Sequence, residues 1–187
     1  MNGNRERGDI LVAIARESIA GRLGLGAVRA RAAPWLSEHA ATFVTLRLDE
    51  DLRGCIGSID ARRPIGEDVA ANAHAAAFAD PRFEPLSVAE YASVSVEVSV
   101  LSPRTPVPAA TESEALVRLR PGVDGVYLEF GGLAATFLPQ VWESLPDPVD
   151  FLAALRRKAR LPARFWDPGI RLTRYTVEKF GDAHPAH

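Results

Sequence analysis

Apolar residues recur at helical spacing in two segments of the first half of the chain. The first segment, 9–23, gathers its apolar residues near one face and is followed by Gly24, which favours the end of a helix. The second begins at Pro64, a residue suited to the first turn of a helix, and runs to about residue 79, where Asp80-Pro81 stops it. The pattern therefore predicts two amphipathic helices.

Apolar and polar residues alternate strictly in two other parts of this half. Thr42 to Leu48 alternates, and Leu52 to Ile59 returns after a polar three-residue connection, which predicts an antiparallel hairpin. Tyr91 to Leu101 gives the clearest strand pattern, with valines on one face and serines with Glu97 on the other. The valine face is therefore expected to be buried.

The second half repeats this style after Pro103, Pro106 and Pro108, which predict a stiff linker. We predict, in order, a helix over 112–119, a hairpin of 126–130 with 133–138, a helix that Asp147 caps and Pro162 follows, and a closing strand from Arg171 to Phe180. The expected fold is α+β, with mainly antiparallel sheets and packed helices in a single domain. Its two unequal lobes, about 9–102 and 109–180, should share one core, and 181–187 should form a loose tail.

Composition narrows the function classes. The 187 residues carry a net charge of −2, which gives no general attraction to nucleic acid or to an anionic membrane. Cys55 is the only cysteine, so an intrachain disulfide and a multi-thiolate zinc site are excluded. We expect a cytoplasmic protein with no metal, no cofactor, no nucleic-acid partner and no membrane association. The one basic cluster, 156–164, lies at a predicted helix end and could contact an acidic partner.

Cys55 is the first candidate for chemistry. Gly54 and Gly57 flank it, so the backbone can bend and a ligand could approach closely. A simple register across the hairpin would place Thr45 opposite Cys55 and Arg47 opposite Arg53. Two guanidinium groups beside a thiol would favour a nucleophilic thiolate, or would bind an anion without covalent chemistry. The alternative is that Cys55 is a small buried hydrophobe.

Three further residues could take part. His74 is the natural partner for a Cys–His arrangement, because the other histidines lie in irregular segments, although it could be a surface residue. Glu97 could act as a general base if its strand face lines a cleft, or could be solvated. Arg82 could bind a carboxylate or phosphate group, or could form an ion pair with Asp80 that locks the turn.

Five segments, taken together and in order, resemble the AMMECR family (AmmeMemoRadiSam system protein A). They are Leu52–Gly57 with its Leu-Arg-Gly-Cys-Ile-Gly sequence, Asp80–Phe83, Glu97–Ser102, Gly122–Gly125 and Thr136–Val141. The resemblance covers about residues 9–180. It implies an α+β fold of two unequal lobes with a cleft near Leu52–Gly57. It also implies partners, because relatives occur beside a Memo-type protein similar to ring-cleaving dioxygenases and beside a radical-SAM protein.

The chain departs from the family pattern near its C-terminus. Relatives often carry Cys-x-Lys-Ala-Gly where this sequence reads Arg156-Arg157-Lys158-Ala159-Arg160. A mechanism that needs two thiols is therefore excluded here.

Two hypotheses follow from the residues and the resemblance. In the first, an enzyme or enzyme subunit uses Cys55 as a nucleophile or substrate-binding thiol, Arg53 and Arg82 hold substrate beside Gly54 and Gly57, and Glu97 or His74 moves protons. In the second, the protein is a non-catalytic accessory subunit that docks on a Memo-like partner.

Overall fold

The computed structural model describes residues 2–26 and 33–182. Within these ranges the helices are α1 (Asn2–Leu23), α2 (Ile65–Phe78), α3 (Val88–Tyr91), α4 (Glu112–Arg118) and α5 (Pro148–Lys158). The strands are β1 (Ala41–Leu48), β2 (Asp51–Gly57), β3 (Val94–Leu101), β4 (Thr105–Pro106), β5 (Gly125–Phe130), β6 (Leu133–Phe137), β7 (Arg171–Tyr175) and β8 (Val177–Gly181). Short 3-10 helices occupy Pro34–Ser37 and Pro139–Glu143.

The chain forms two compact units. The first comprises Met1–Leu101 with Glu178–His187, and the second comprises Ser102–Val177. The first unit contains a four-stranded sheet of order β2-β1-β3-β8, and the second a four-stranded sheet of order β4-β7-β5-β6. The predicted α+β class with antiparallel sheets and packed helices is confirmed.

The alternation of apolar and polar residues along the strands determines which face of each sheet is buried. In the first unit the valine face of β3 and the apolar face of β1 are buried together with residues of α1 and α2. In the second unit a separate cluster joins β5, β7 and α5 around Phe151, whose ring stacks on Trp142 at 3.7 Å. Among the described residues, the buried apolar side chains thus form one cluster in each unit.

The closing strand predicted over Arg171 to Phe180 is two strands. β7 pairs with β4 and β5 in the second sheet, whereas β8 lies beside β3 in the first. Thr176 lies between them and exchanges hydrogen bonds with Ser102, at 2.9 Å in each direction. The prediction was wrong because period-2 alternation shows that a segment is extended but not which sheet it joins.

The strand predicted over Tyr91 to Leu101 begins later, at Val94. The preceding residues form α3, which Ser87 and Glu90 stabilise through a reciprocal capping box. The segment between α1 and β1 contains the 3-10 helix Pro34–Ser37, and its residues 27–32 lie outside the described residues. The predicted loose tail lies outside them from residue 183 onward.

Arg156 is buried, unlike the arginines beside it in the basic cluster over 156–164. Its side chain is 1% exposed, and it donates to the Glu112 carboxylate at 2.5 Å and to the Phe165 carbonyl at 2.8 Å. Arg157, Arg160 and Arg164 remain exposed. The residue that stands where relatives often carry a cysteine is therefore a buried structural cation in this chain.

Arg160, which stands where relatives often carry glycine, has a positive φ of 64° just after α5 ends. Left-handed backbone costs a side-chain-bearing residue about 1 kcal/mol, and glycine is free of that cost. We therefore expect Arg160→Gly to raise the free energy of unfolding by about 0.5–1 kcal/mol. The same change at Arg157, inside α5, should lower it by about 0.5–1 kcal/mol. Urea denaturation of both variants tests this, and a loss of stability in both would contradict it.

Candidate functional site

The hairpin of β1 and β2 sets the positions around Cys55. Leu48 pairs with Asp51, so the turn has two residues, and Asp49 adopts a positive φ of 52° there. A bulge follows, because Arg47 pairs with Leu52 while Leu46 pairs with Gly54. Arg53 is the extra residue of this bulge, so the expected pairing of Arg47 with Arg53 is wrong. The turn is one residue shorter than expected, and the bulge adds one residue to β2. From Gly54 onward the register is therefore the one predicted from the sequence.

That offset brings Thr45 opposite Cys55, as predicted from the sequence. The Thr45 Oγ1 and Cys55 Sγ atoms lie 3.4 Å apart, within hydrogen-bond distance for sulfur. Cys55 is partly buried and projects from the sheet face opposite to the apolar face of β1. The thiol therefore lies outside the apolar core, against a hydroxyl group.

Asp80 and Arg82 fix the backbone of Cys55 at the outer edge of the sheet. The Cys55 N–H donates to Asp80 Oδ2 at 2.9 Å, and Arg82 Nη2 donates to the Cys55 carbonyl at 3.2 Å. Arg82 also donates two hydrogen bonds to the Asp80 carboxylate, from Nε at 2.9 Å and from Nη2 at 2.6 Å. These bonds satisfy an edge strand that would otherwise expose unpaired groups. Of the two roles considered for Arg82, the structure thus shows the ion pair with Asp80.

The same contacts control the charge of Asp80. Hydrogen bonds from Arg82, supported by the Cys55 and Arg82 backbone N–H groups, hold the pKa of this carboxyl well below its usual range although burial opposes them. Asp80 is 4% exposed and therefore stays ionised at the strand edge throughout the physiological range.

The Arg53 guanidinium group forms hydrogen bonds with α3 and with the loop before it. Its Nε donates to Glu90 Oε1 at 2.8 Å, and its Nη2 donates to the Glu84 carbonyl at 2.9 Å. Arg53, helped by Ser87, lowers the pKa of Glu90 to about 2. The Arg53 guanidinium also lies over the Phe83 ring, as does that of Arg82. A carboxylate therefore compensates each of the two arginines that we expected to hold an anion.

Both glycines beside Cys55 are required by packing. A Cβ atom on Gly54 would lie 2.2 Å from the Ala76 carbonyl oxygen of α2, and one on Gly57 would lie 2.2 Å from the Phe43 ring. The close approaches that the sequence suggested do occur, but they are made by this protein's own helix and by a neighbouring side chain.

Glu97 lies in line with the thiol across three strands. Thr45 pairs with Cys55 on one side and with Glu97 on the other, and Lys179 Nζ of β8 lies 3.3 Å from Glu97 Oε1. At about 4.8 Å between strands, the Cys55 and Glu97 backbones are about 10 Å apart. We call the row of Cys55, Thr45, Glu97 and Lys179 the Cys55 face.

His74 is not part of this row. It is an exposed residue of α2, and its ring lies 5.1 Å from that of Phe78. α2 packs against the face of β2 to which Gly54 belongs, whereas Cys55 projects from the other face. The sheet therefore separates His74 from the thiol and does not form the Cys–His pair that the sequence suggested.

Two residues of the Cys55 face were missed in the sequence. The register predicted that Thr45 lies opposite Cys55, but Thr45 was given no functional role. A hydroxyl group opposite the only cysteine is the feature that indicates one. Lys179 could not be found, because its strand was assigned to the second lobe. The pairing of β8 with the first sheet is what brings Lys179 to Glu97.

Across 2–26 and 33–182, no group of three His, Cys, Asp or Glu side chains is arranged to hold a metal ion. Over the same ranges, none of the helices has the length and apolar character needed to cross a membrane.

Relatives of known sequence align along most of the chain. Protein MJ0810 of Methanocaldococcus jannaschii is 34% identical over 157 residues, which covers 80% of this chain and 76% of that protein. Protein SSO0193 of Saccharolobus solfataricus is 35% identical over 191 residues, which covers 97% of this chain and 84% of that protein.

The fold also matches a solved structure. The crystal structure of the uncharacterized protein PH0010 from Pyrococcus horikoshii is similar to this chain with a TM-score of 0.85 and 33% identity, over 97% of this chain and 94% of that one. The sequence profile of the AMMECR1 family matches residues 12–180. Because that match spans most of the chain, the protein belongs to the AMMECR1 family.

Proposed function

We propose that this protein is an enzyme, or the subunit of an enzyme, that binds a small molecule at the Cys55 face and acts on it through the Cys55 thiol. One observation carries the proposal. The only cysteine is partly accessible and hydrogen-bonded to Thr45 on the polar face of its sheet, opposite to the apolar core. A cysteine that served only as a small hydrophobe would instead lie among apolar side chains.

The neighbours of the thiol supply the remaining roles. Thr45 orients the sulfur and donates to it when it carries the negative charge. Glu97, which lies on the same face and pairs with Lys179 at 3.3 Å, would receive the thiol proton through a bridging water. Arg53 and Arg82 hold the strand and its edge, and they do so through Glu90 and Asp80. The proposal gives no role to His74, which lies on the other side of the sheet.

The family resemblance extends the proposal to partners, namely a Memo-like protein and a radical-SAM protein that act in the same pathway. An alternative function is that of a non-catalytic accessory protein docked on the Memo-like partner. One observation favours this alternative. Arg53 and Arg82, the two arginines expected to hold a substrate, both form ion pairs with carboxylates of this chain, which leaves fewer groups for that role.

Alkylation of the native thiol distinguishes these functions. We expect iodoacetamide to modify Cys55 in the folded protein at a rate within about tenfold of that in the unfolded chain, because Cys55 is partly exposed and its sulfur lies against a hydroxyl group. Small molecules from an extract of the source cells should slow this reaction at neutral pH. A thiol that reacts only after unfolding would overturn the enzyme proposal and favour the accessory function.

A pair of variants tests the role of Thr45. Thr45→Val keeps the shape of the side chain and its preference for a strand but removes the hydroxyl group. We expect it to slow alkylation by about three- to tenfold, since a hydrogen bond to a charged sulfur is lost. Ser95→Ala removes a hydroxyl from the same sheet face, where it bonds to the Arg47 carbonyl, and should leave the rate unchanged. Equal rates in all three proteins would remove Thr45 from the proposal.

A further inference from the structure

A second polar site lies on the helix side of β2, away from the Cys55 face. At its centre is Asp68 of α2, which is only 1% exposed. Its Oδ2 accepts from the Thr42 backbone N–H at 3.0 Å, from the Thr42 hydroxyl at 2.7 Å and from Asn72 Nδ2 at 2.9 Å. Its Oδ1 accepts from the Ser58 hydroxyl at 2.8 Å and from Arg63 Nε and Nη2 at 3.1 and 2.7 Å.

This network forms the floor of a pocket of about 390 Å³. The pocket is lined by Ser58, Ile59, Asp60, Arg62, Arg63 and Asp68. Its volume lies in the range of sites for small organic molecules. An apolar helix face would pack against β1 and β2 at lower desolvation cost than a buried carboxylate. The network instead fixes the Ser58 hydroxyl and the Arg63 guanidinium at the base of an open cavity.

The charged groups of the pocket differ in how firmly they are held. Both oxygens of Asp68 are saturated with donors, so this carboxylate is turned away from an incoming ligand. Arg63 uses Nε and Nη2 for Asp68, and its side chain is 43% exposed, which leaves Nη1 for the pocket. Arg62 is 82% exposed and bonds to Asp60 at 3.0 Å, an ion pair that contributes little at such exposure. Arg62 can therefore exchange Asp60 for a ligand.

We propose that this pocket binds the phosphate group of a small phosphorylated molecule. Two adjacent guanidinium groups suit a tetrahedral dianion, because their planar forks match its oxygens. Pro64 follows the two arginines and restricts the backbone that carries them. The proposal is independent of Cys55, whose side chain projects from the opposite face of β2.

Inorganic phosphate is the probe that tests this site in the full-length protein. We expect saturable one-to-one binding, seen as amide shifts at Ser58, Arg62 and Arg63 in nitrogen–proton correlation spectra at constant ionic strength. Acetate should bind about tenfold more weakly, because it offers one fewer charge and a single plane of oxygens. Acetate that binds as tightly as phosphate would overturn the assignment of a phosphate group.

Variants of exposed residues separate this site from general charge attraction. Arg62→Ala should weaken phosphate binding by about tenfold, whereas Arg5→Ala, which removes the same charge from the exposed surface of α1, should leave it unchanged. Asp60→Asn should strengthen binding by about two- to fivefold, because it frees Arg62 and removes a competing carboxylate. Equal losses in Arg62→Ala and Arg5→Ala, or weaker binding in Asp60→Asn, would overturn the proposal.

Discussion

The Asp80→Asn variant is expected to lose about 3–4 kcal/mol of unfolding free energy, the cost of leaving buried donors and a cation without their partner. Asp80 Oδ1 accepts from the Arg82 backbone and Nε, and Oδ2 accepts from the Cys55 backbone and Arg82 Nη2. The amide group of asparagine would face two N–H donors in either orientation. Chemical denaturation at neutral pH measures the loss.

Acid provides an independent measurement of the same interaction. Because the pKa of Asp80 is lower in the folded protein than in the unfolded chain, its contribution is fully present above about pH 4 and decreases as the pH falls below that value. The stability difference between the native protein and Asp80→Asn should therefore narrow as the pH falls from about 4 towards 2. A difference that stays constant over this range would contradict the charge argument.

Asp60→Asn is the matched control for the first prediction. It changes an exposed ion pair with Arg62 by the same substitution and should alter the free energy of unfolding by less than about 0.5 kcal/mol. If the two asparagine variants were equally stable, Asp80 would not be what holds the edge strand at Cys55.

Gly54→Ala is expected to lower the free energy of unfolding by about 3 kcal/mol, because the new Cβ atom has no space. That atom would lie 2.2 Å from the Ala76 carbonyl oxygen, so α2 or β2 must move. A smaller side chain at position 76 cannot relieve the clash, because the atom in the way belongs to the backbone. Thermal and urea denaturation should both report the loss.

Gly66→Ala is the matched control for Gly54. A Cβ atom on Gly66 would meet Leu36 Cδ2 at 3.4 Å, an ordinary contact, and alanine favours a helix such as α2. We expect this variant to gain up to about 1 kcal/mol. A Gly54→Ala protein as stable as the native one would show that the helix and the strand are not in the close contact described here.

The enzyme hypothesis placed Arg53, Gly54 and Gly57 in contact with substrate, and the tertiary structure supplies a different reason for each of these residues. Gly54 and Gly57 make room for α2 and for Phe43, and Arg53 is the bulge residue that reaches Glu90. Cys55 is the residue of this segment whose polar setting no packing requirement explains. The site proposal therefore rests on Cys55 and on its neighbours across the sheet.

The sequence by itself determined most of the helices and strands. Alternation over Thr42 to Leu48 and over the valines of β3 marks strands, because a pleated strand with one buried face must repeat every two residues. Helical spacing marks α1, α2 and α5 for the corresponding reason at 3.6 residues per turn. The pairing of Thr45 with Cys55 also followed from the hairpin.

The tertiary structure alone decided which partners these elements take. The split of the closing strand at Thr176 brings Lys179 to Glu97, and no local pattern records the sheet that an extended segment joins. The side of the sheet on which α2 packs separates His74 from Cys55. The carboxylates that pair with Arg53 and Arg82 likewise come from α3 and from the turn after α2. Such contacts join residues distant in sequence, and their free energy depends on packing and desolvation that a single sequence does not display.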